Sequence, residues 1–459
     1  MSSNMAAVYR YIDEHVEDAI QLLERLTRQP SVSAQNLGIR PMAELCVSTL
    51  QEAGVPARLL ELDDAPPLVI GEAAGRSPRR LLLYSHYDVQ PPEPLELWES
   101  PPFEPTRRDG KLFGRGVSDN KGDLAARIWA IRALRAVLGE LPASAVFLLE
   151  GEEENGSPHL PALMQRYQDL FRAEAGILEA GGLTHDGRPT LTAGVRGLLY
   201  VELTARSANR DAHSSGASVL PAAAWRLNWA LSSLKAPDET VLIPGFYDHV
   251  RDWREDEIAA LQAIPDDEEE RRREMGIKAY LGNVRGLEYR KQLFGRPTCN
   301  ICGIWAGYSG PGIKTVLPCE AHAKLDFRLV PDQRPEEILE KLRRHLDAAG
   351  FADIELTPVA AHEAPVRVPV SDPFVRFCAS VAEEYYGKPA VIYPTAAGTV
   401  GVSAMADVLH YPMIFAAGAA GYWGSNAHAP NEHIRLADFA DSIKYHALLL
   451  ERFAERPAA

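Results

Sequence analysis

Apolar residues recur every three to four positions from 8 to 28, placing Ile12, Val16, Ile20, Leu23 and Leu26 on one face, and the same period returns over 41 to 54. Both stretches predict amphipathic helices. Shorter apolar runs follow, LLLYS (81–85), AVFLLE (145–150) and AGILEA (175–180), and they read as buried strands. Helical patterns over 121–138 and 158–171 separate them. Such an alternation predicts an α/β fold, an open mixed sheet covered by helices on both faces.

The period changes after TAGVRG. GLLYVELTA (197–205) and AHAKLDFRLV (321–330) alternate apolar and polar residues, as strands with one solvated face do, and the helical PEEILEKLRRHLDAAG follows the second. A smaller α+β domain is therefore expected over 197–364, inserted between a first part of the α/β domain, 1–196, and a second part, 365–459, that opens with SDPFVRFCASVAEEYYG. The stretch 237–295, rich in Arg and Glu, is expected to be a helical excursion of the insert.

Length agrees with two domains, since 459 residues exceed the roughly 250–300 at which one core tends to split. A formal charge of −15 argues against nucleic acid or an anionic membrane as partner. No run of about 20 apolar residues appears, and the first residues carry acids throughout, so a cytoplasmic protein is expected. Five cysteines are too few for a disulfide framework, and the pair Cys299 and Cys302, with no second pair nearby, is expected to serve packing.

The chemistry sits where the strands end. LLLYS runs directly into His86 and Asp88, and ligands of open α/β sheets lie outside the carboxyl ends of the strands. Asp119 follows a glycine-rich turn in GRGVSDNKGD; Glu152, Glu153 and Glu154 follow AVFLLE; Glu179 ends AGILEA; His428 lies in GSNAHAPNE. Imidazoles and carboxylates converging at one edge repel and resist desolvation unless positive charge sits among them. Histidine with carboxylates and no thiolate suits zinc or manganese. Five candidate ligands, His86, Asp119, Glu154, Glu179 and His428, exceed the usual three for one catalytic zinc, and two ions bridged by one carboxylate use them all. The residues alone thus indicate a two-metal hydrolase.

HYDVQP, GRGVSDNKGD, EGEEENGS, DAHSSG and AHAPNE, in this order, resemble the di-zinc metallopeptidases that include carnosinase-type dipeptidases, aminoacylases, succinyl-diaminopimelate desuccinylases and glutamate carboxypeptidases. The resemblance implies His86 and Glu179 on one ion, Glu154 and His428 on the other, and Asp119 bridging them through a cis Asp119–Asn120 peptide. It implies zinc, with manganese or cobalt as alternatives. Asp88 resembles the carboxylate that receives the free ring N–H of His86, and Glu153 the general base. His213 resembles a histidine that reaches a partner subunit's site to stabilise the oxyanion, which implies a homodimer joined through the insert. Arg328 resembles a residue that grips the substrate's free carboxylate, and the loop at Gly398 and Thr399 can receive the same group. Two departures stand out: Glu152 replaces an apolar residue and is expected to be exposed without a role, and Ala396 and Ala397 precede Gly398 where carnosinase-like members carry charge. The long insert and HYDVQP resemble the dipeptidase branch. Hydrolysis of N-acyl or N-carbamoyl amino acids is the alternative, and a non-catalytic binding protein, which has no need of Glu153, is the third.

Overall fold

In the computed structural model, which describes residues 3–456 apart from 360–361 and 419–420, the apolar runs form the centre of an eight-stranded sheet. Its order is Ala57–Leu60, Leu68–Ala73, Leu141–Glu150, Gly75–His86, Ala175–Ala180, Met413–Ala416, Thr190–Thr192, Val391–Tyr393. The four middle strands are parallel, so the chain returns between them through crossovers that include the helices Lys121–Leu138 and Leu160–Tyr167. Side chains alternate between two cores. Leu81, Leu83, Phe147 and Leu149 pack with Leu124 and Ile443 on one face, while Leu82, Tyr84, Val146 and Leu148 pack with Leu160 and Met405 on the other. Burial on both faces explains the unbroken apolar runs, since each such side chain contributes about 1.5–3 kcal/mol.

The long period over 8–28 becomes two helices, Ser3–Glu14 and Val16–Arg28, broken where His15 leaves helical geometry, its ring stacked on Tyr11 and bonded to the Tyr11 carbonyl at 2.8 Å. The apolar face stays continuous across the break: Ile12, Ile20, Leu23 and Leu26 share one core.

Gly197–Arg206 and Glu320–Leu329 lie side by side in a second, antiparallel sheet, with Asn300–Ala306 at one edge and Glu355–Pro358 at the other. Leu199, Val201, Leu325 and Phe327 point inward against Leu227 of the helix Ala223–Leu234 and Leu342 of the helix Pro335–Ala348. Cys299 is buried and Cys302 exposed, and neither is bonded to another sulfur. Among the described residues, no helix is long and apolar enough to cross a membrane.

The stretch 237–295 is helical, with Glu255–Ala263, Glu268–Glu274 and Gly286–Gly295, but its attachment differs from the expectation. Leu261, Ile264 and Phe294 bury themselves with Val391, on the edge strand of the first sheet. Beside them Glu257 is fully buried, accepting from Arg251 at 2.8 Å, from the Arg254 N–H at 3.0 Å and from Arg367 at 3.2 Å. Arg367 lies on a short strand paired with Gly194–Val195. The excursion is therefore a strut that reaches back to the first sheet. Apolar positions so sparse in a charged segment carry no record of which core they join.

Burial alone would raise the Glu257 carboxyl, but Arg251, the Arg254 N–H and Arg367 outweigh it and bring it from 4.5 down to about 2. A depressed carboxyl stabilises the fold above its ordinary value and loses that contribution as pH falls through the folded one. Glu257→Ala should thus destabilise at neutral pH by on the order of 3 kcal/mol, by stranding buried Arg367. In thermal melts the deficit should shrink between about pH 4.5 and pH 2. A constant deficit across that window would contradict the pairing.

Candidate metal centre

Parallel register brings the candidate residues to one edge. Leu83 lies opposite Phe147 on one side and Ile177 on the other, and His86 lies opposite Glu150, so the three strands end level. The chain then turns sharply at Gly151, where a Cβ would meet the Tyr87 hydroxyl at 2.2 Å, so only glycine lets Glu152, Glu153 and Glu154 follow directly. Asp119 enters from the loop before the helix Lys121–Leu138, and its peptide to Asn120 is cis, as the resemblance implies.

Asp119 stands between the two histidines. Its Oδ1 is 2.9 Å from His86 Nε2 and its Oδ2 is 3.0 Å from His428 Nε2. Glu154 Oε2 is 3.1 Å from His428 Nε2, while Glu179 Oε1 is 3.8 Å and Glu153 Oε2 4.0 Å from His86 Nε2. Two groups result, His86 with Asp119 and Glu179, and Asp119 with Glu154 and His428; within each, the ligand atoms lie within 4.8 Å of one another.

The donor set fits metal ions. A neutral imidazole lone pair and a carboxylate oxygen repel at these distances, so each contact needs a proton or a cation between the atoms. Burial would lower the His86 ring, but Asp119, Asp88, Glu153 and Glu179 outweigh it and hold it well above its ordinary value; Asp119 and Glu154 bring His428 up to about 10. Asp119 is depressed below the usual carboxylate range despite burial, which opposes the shift, by hydrogen bonds from His428 and His86. Protons on the rings leave Glu179 unsatisfied: its Oε1 is buried and accepts no hydrogen bond. Burial, reinforced by the charge of Glu153, pushes Glu179 up; burial also brings Glu153 up to about 8 against the pull of His86. A cation among these groups would relieve all of these tensions at once.

Asp88 does more than face His86. The His86 Nδ1–H points to the Asp88 main-chain carbonyl at 3.1 Å, with the carboxylate at 3.4 Å, while the two carboxylate oxygens accept the N–H groups of Glu153 (3.2 Å) and Glu154 (3.1 Å). Asp88 thus ties the His86 strand to the Glu153 turn. Glu152, expected to be exposed, is instead buried, because its carboxylate accepts the His159 N–H at 2.8 Å and lies 2.9 Å from the His159 ring.

Several supports were not singled out from the sequence. Glu432 accepts from Arg115 and Gly116 (both 2.8 Å), Ser118 (2.8 Å) and Asp119 (3.0 Å), fixing the loop that carries Asp119. Gln90 donates to Glu154 Oε2 at 2.9 Å. Buried Arg127 bonds the carbonyls of Tyr84 and Leu178, joining the ends of two strands that carry candidate ligands. Glu432, Arg115 and Gln90 lie inside the quoted motifs, so proximity in sequence was the available signal. Arg127 had none.

Farther out, Arg328 donates to Thr399 Oγ1 at 2.8 Å, and the Gly398 carbonyl accepts the Arg196 N–H at 3.0 Å. The same loop closes on the Glu153 turn, since a Cβ on Gly401 would meet Ser157 Oγ at 2.3 Å. His213 is exposed, and its ring bonds are to Ser215 and Thr315, away from the ligand groups.

Known proteins carry the same chain pattern. Residues 82–452 match the model of peptidase family M20/M25/M40. A human Beta-Ala-His dipeptidase is 31% identical over 362 residues, 74% of this chain and 71% of that protein. A Cys-Gly metallodipeptidase of Saccharomyces cerevisiae is 26% identical with both chains fully covered. The crystal structure of an M20 family metallo-carboxypeptidase from Sulfolobus solfataricus superposes with a TM-score of 0.90 at 36% identity, covering 95% of this chain and 99% of that one. The match begins in the strand that delivers His86 and runs into the last helix, and the chain belongs to peptidase family M20/M25/M40, a family of hydrolases.

Proposed function

We propose that the protein is a metal-dependent dipeptidase that cleaves the amide bond of dipeptides or short peptides bearing a free C-terminal carboxylate. The observation that carries this reading is the pair of ligand groups sharing Asp119, with the Glu153 carboxylate alongside. His86, Asp119 and Glu179 would hold one divalent ion and Asp119, Glu154 and His428 the other, zinc suiting this donor set best. Two such ions supply Lewis acidity, polarising the amide carbonyl and making a water acidic near neutral pH. Glu153 takes the proton from the attacking water and returns it to the leaving amine nitrogen. Asp88 holds Glu153 and Glu154 by their N–H groups, so base and ligand keep a fixed separation.

Arg328, beside Thr399, offers a planar fork to the substrate carboxylate, and the Gly398 loop closes the same wall. The names of the relatives support this: a dipeptidase and a carboxypeptidase both cleave next to a C-terminal residue. The 36% identity to a metallo-carboxypeptidase favours, as a second reading, removal of C-terminal residues from longer peptides. Residues 197–364 would be the lid and dimerisation unit. Its edge strand Asn300–Ala306 exposes Ile301, Ile304 and Trp305, and the helix Ala223–Leu234 exposes Trp225 and Trp229, a surface suited to a second copy. Such a homodimer would carry exposed His213 to the partner's oxyanion. A cytoplasmic location goes with this reading, supported by five free cysteines.

The metal-loaded protein should cleave dipeptides in a mixed panel of dipeptides, longer peptides and N-acyl amino acids, read by mass spectrometry; cleavage of N-acyl amino acids alone would replace this reading with a deacylase. Glu153→Gln should retain metal and lose turnover by about 10²- to 10⁴-fold. His428→Ala should lower metal content in elemental analysis, and full two-metal occupancy would remove His428 from the ligand set. Mixing the inactive variants His213→Ala and Glu153→Gln should restore roughly a quarter of wild-type activity on random subunit exchange, because half the dimers then contain one complete site of two. No recovery despite exchange would place His213 outside the partner's site.

A further inference from the structure

Away from the candidate metal centre, the junction of the two sheets carries an open cavity of about 260 Å³. This is slightly smaller than the roughly 300–1,000 Å³ of sites for drug-sized ligands. Its walls include Tyr280, Leu281, Val284, Tyr289 and Leu293, with the two tyrosine rings 4.5 Å apart between centroids. Arg196, the residue before the strand Gly197–Arg206, lines it as well.

Arg196 is 5% exposed, and among the described residues it forms no ion pair. Its terminal nitrogens donate to the carbonyls of Leu293 (3.3 Å), Arg296 (2.6 Å) and Arg328 (3.2 Å), whereas its Nε is buried without a hydrogen-bond partner. Burial, with the charge of Arg328 adding to it and that of Asp326 opposing it, brings the guanidinium down to about 10. Lys235 and Arg296 add positive charge to the lining, and the single acid there, Glu239, is paired with Lys235. The hydrogen-bond partners of this guanidinium are neutral carbonyls and Asp326 offsets its charge only in part, so an anion that reaches it gains.

We infer that this cavity binds a small carboxylic acid with an aromatic or branched apolar body, its carboxylate towards Arg196 and its body against Tyr280, Leu281 and Tyr289. The apolar wall and the cationic end select together: an inorganic anion leaves the wall unfilled, and an uncharged apolar molecule leaves the guanidinium unpaired. An occupant also touches the catalytic side of the molecule. Arg196 and the Thr298 N–H (3.0 Å) both hold the Arg328 carbonyl, so the cavity wall and the proposed carboxylate anchor share one strand end. Binding at the cavity does not depend on the catalytic reading and is measured directly.

The test is calorimetric titration of the full-length, metal-loaded protein with 3-phenylpropionate and with its uncharged analogue 3-phenylpropanol. The acid should bind at least about tenfold more tightly than the alcohol, because only the acid forms charge-assisted hydrogen bonds. Leu281, 67% exposed at the cavity, can be enlarged without disturbing a core. Leu281→Trp should weaken the acid by about tenfold while metal content stays unchanged, and Gln292→Trp, which fills the cavity from another wall, should do the same. Equal affinity for the alcohol, no binding at millimolar acid, or acid binding untouched in both variants, as expected if the carboxylate went to the metal centre instead, would each overturn the assignment.

Discussion

Like charge crowded at one sheet edge is the constraint around which the rest of the molecule is arranged. Asp88, Asp119, Glu153, Glu154 and Glu179 converge there with His86 and His428, and desolvation alone would drive the carboxylates apart or neutralise them. Each is held by something rigid. Arg115 and three N–H groups grip Glu432, which fixes the Asp119 loop; the ion pair of Arg115 and Glu432 is at most 1% exposed on either side. Arg127 ties the strands that end in His86 and Glu179, and Asp88 ties the Glu153 turn to the first of them. The hydrolytic chemistry of the family depends on such prior organisation, because the groups must stay within reach of one another when substrate excludes water.

The second sheet addresses a different need. A candidate metal centre at the edge of a sheet has an open side, and on the proposed reading Arg328, from the second sheet, which meets Thr399, from a loop of the first, would wall it. That meeting requires the two sheets to keep their relation. Two features serve it: the backbone pairing of Gly194–Val195 with Val366–Arg367, and the strut 255–295, locked by buried Glu257 and by Leu261, Ile264 and Phe294 against Val391. The cavity at Arg196 lies in this same junction, beside the strand end that carries Arg328.

Much of this was legible in the chain. Unbroken apolar runs specify strands buried on both faces, and alternating ones specify strands with a wet face, so the difference between the two sheets is written in the periods of LLLYS and AHAKLDFRLV. The ligand candidates were legible because carboxylates and imidazoles directly after buried strands have few other reasons to be there. Asp119, after a glycine-rich turn, and His428, in a loop, were candidates by residue type, and the motif order then implied which ion each would hold.

What the tertiary structure alone decided is pairing at a distance. Glu152 looks like one more solvated acid in EGEEENGS until His159 is seen beside it, and Arg127 looks like an ordinary helix residue until its guanidinium is seen under two strand ends. The excursion 237–295 declares its helices through local pattern yet not the core they join, because a few apolar side chains in a charged segment do not specify the surface that receives them. Period and residue type are local properties and travel with the sequence. The partner of a buried charge is fixed by which surfaces the folded chain brings together, and no local pattern encodes it.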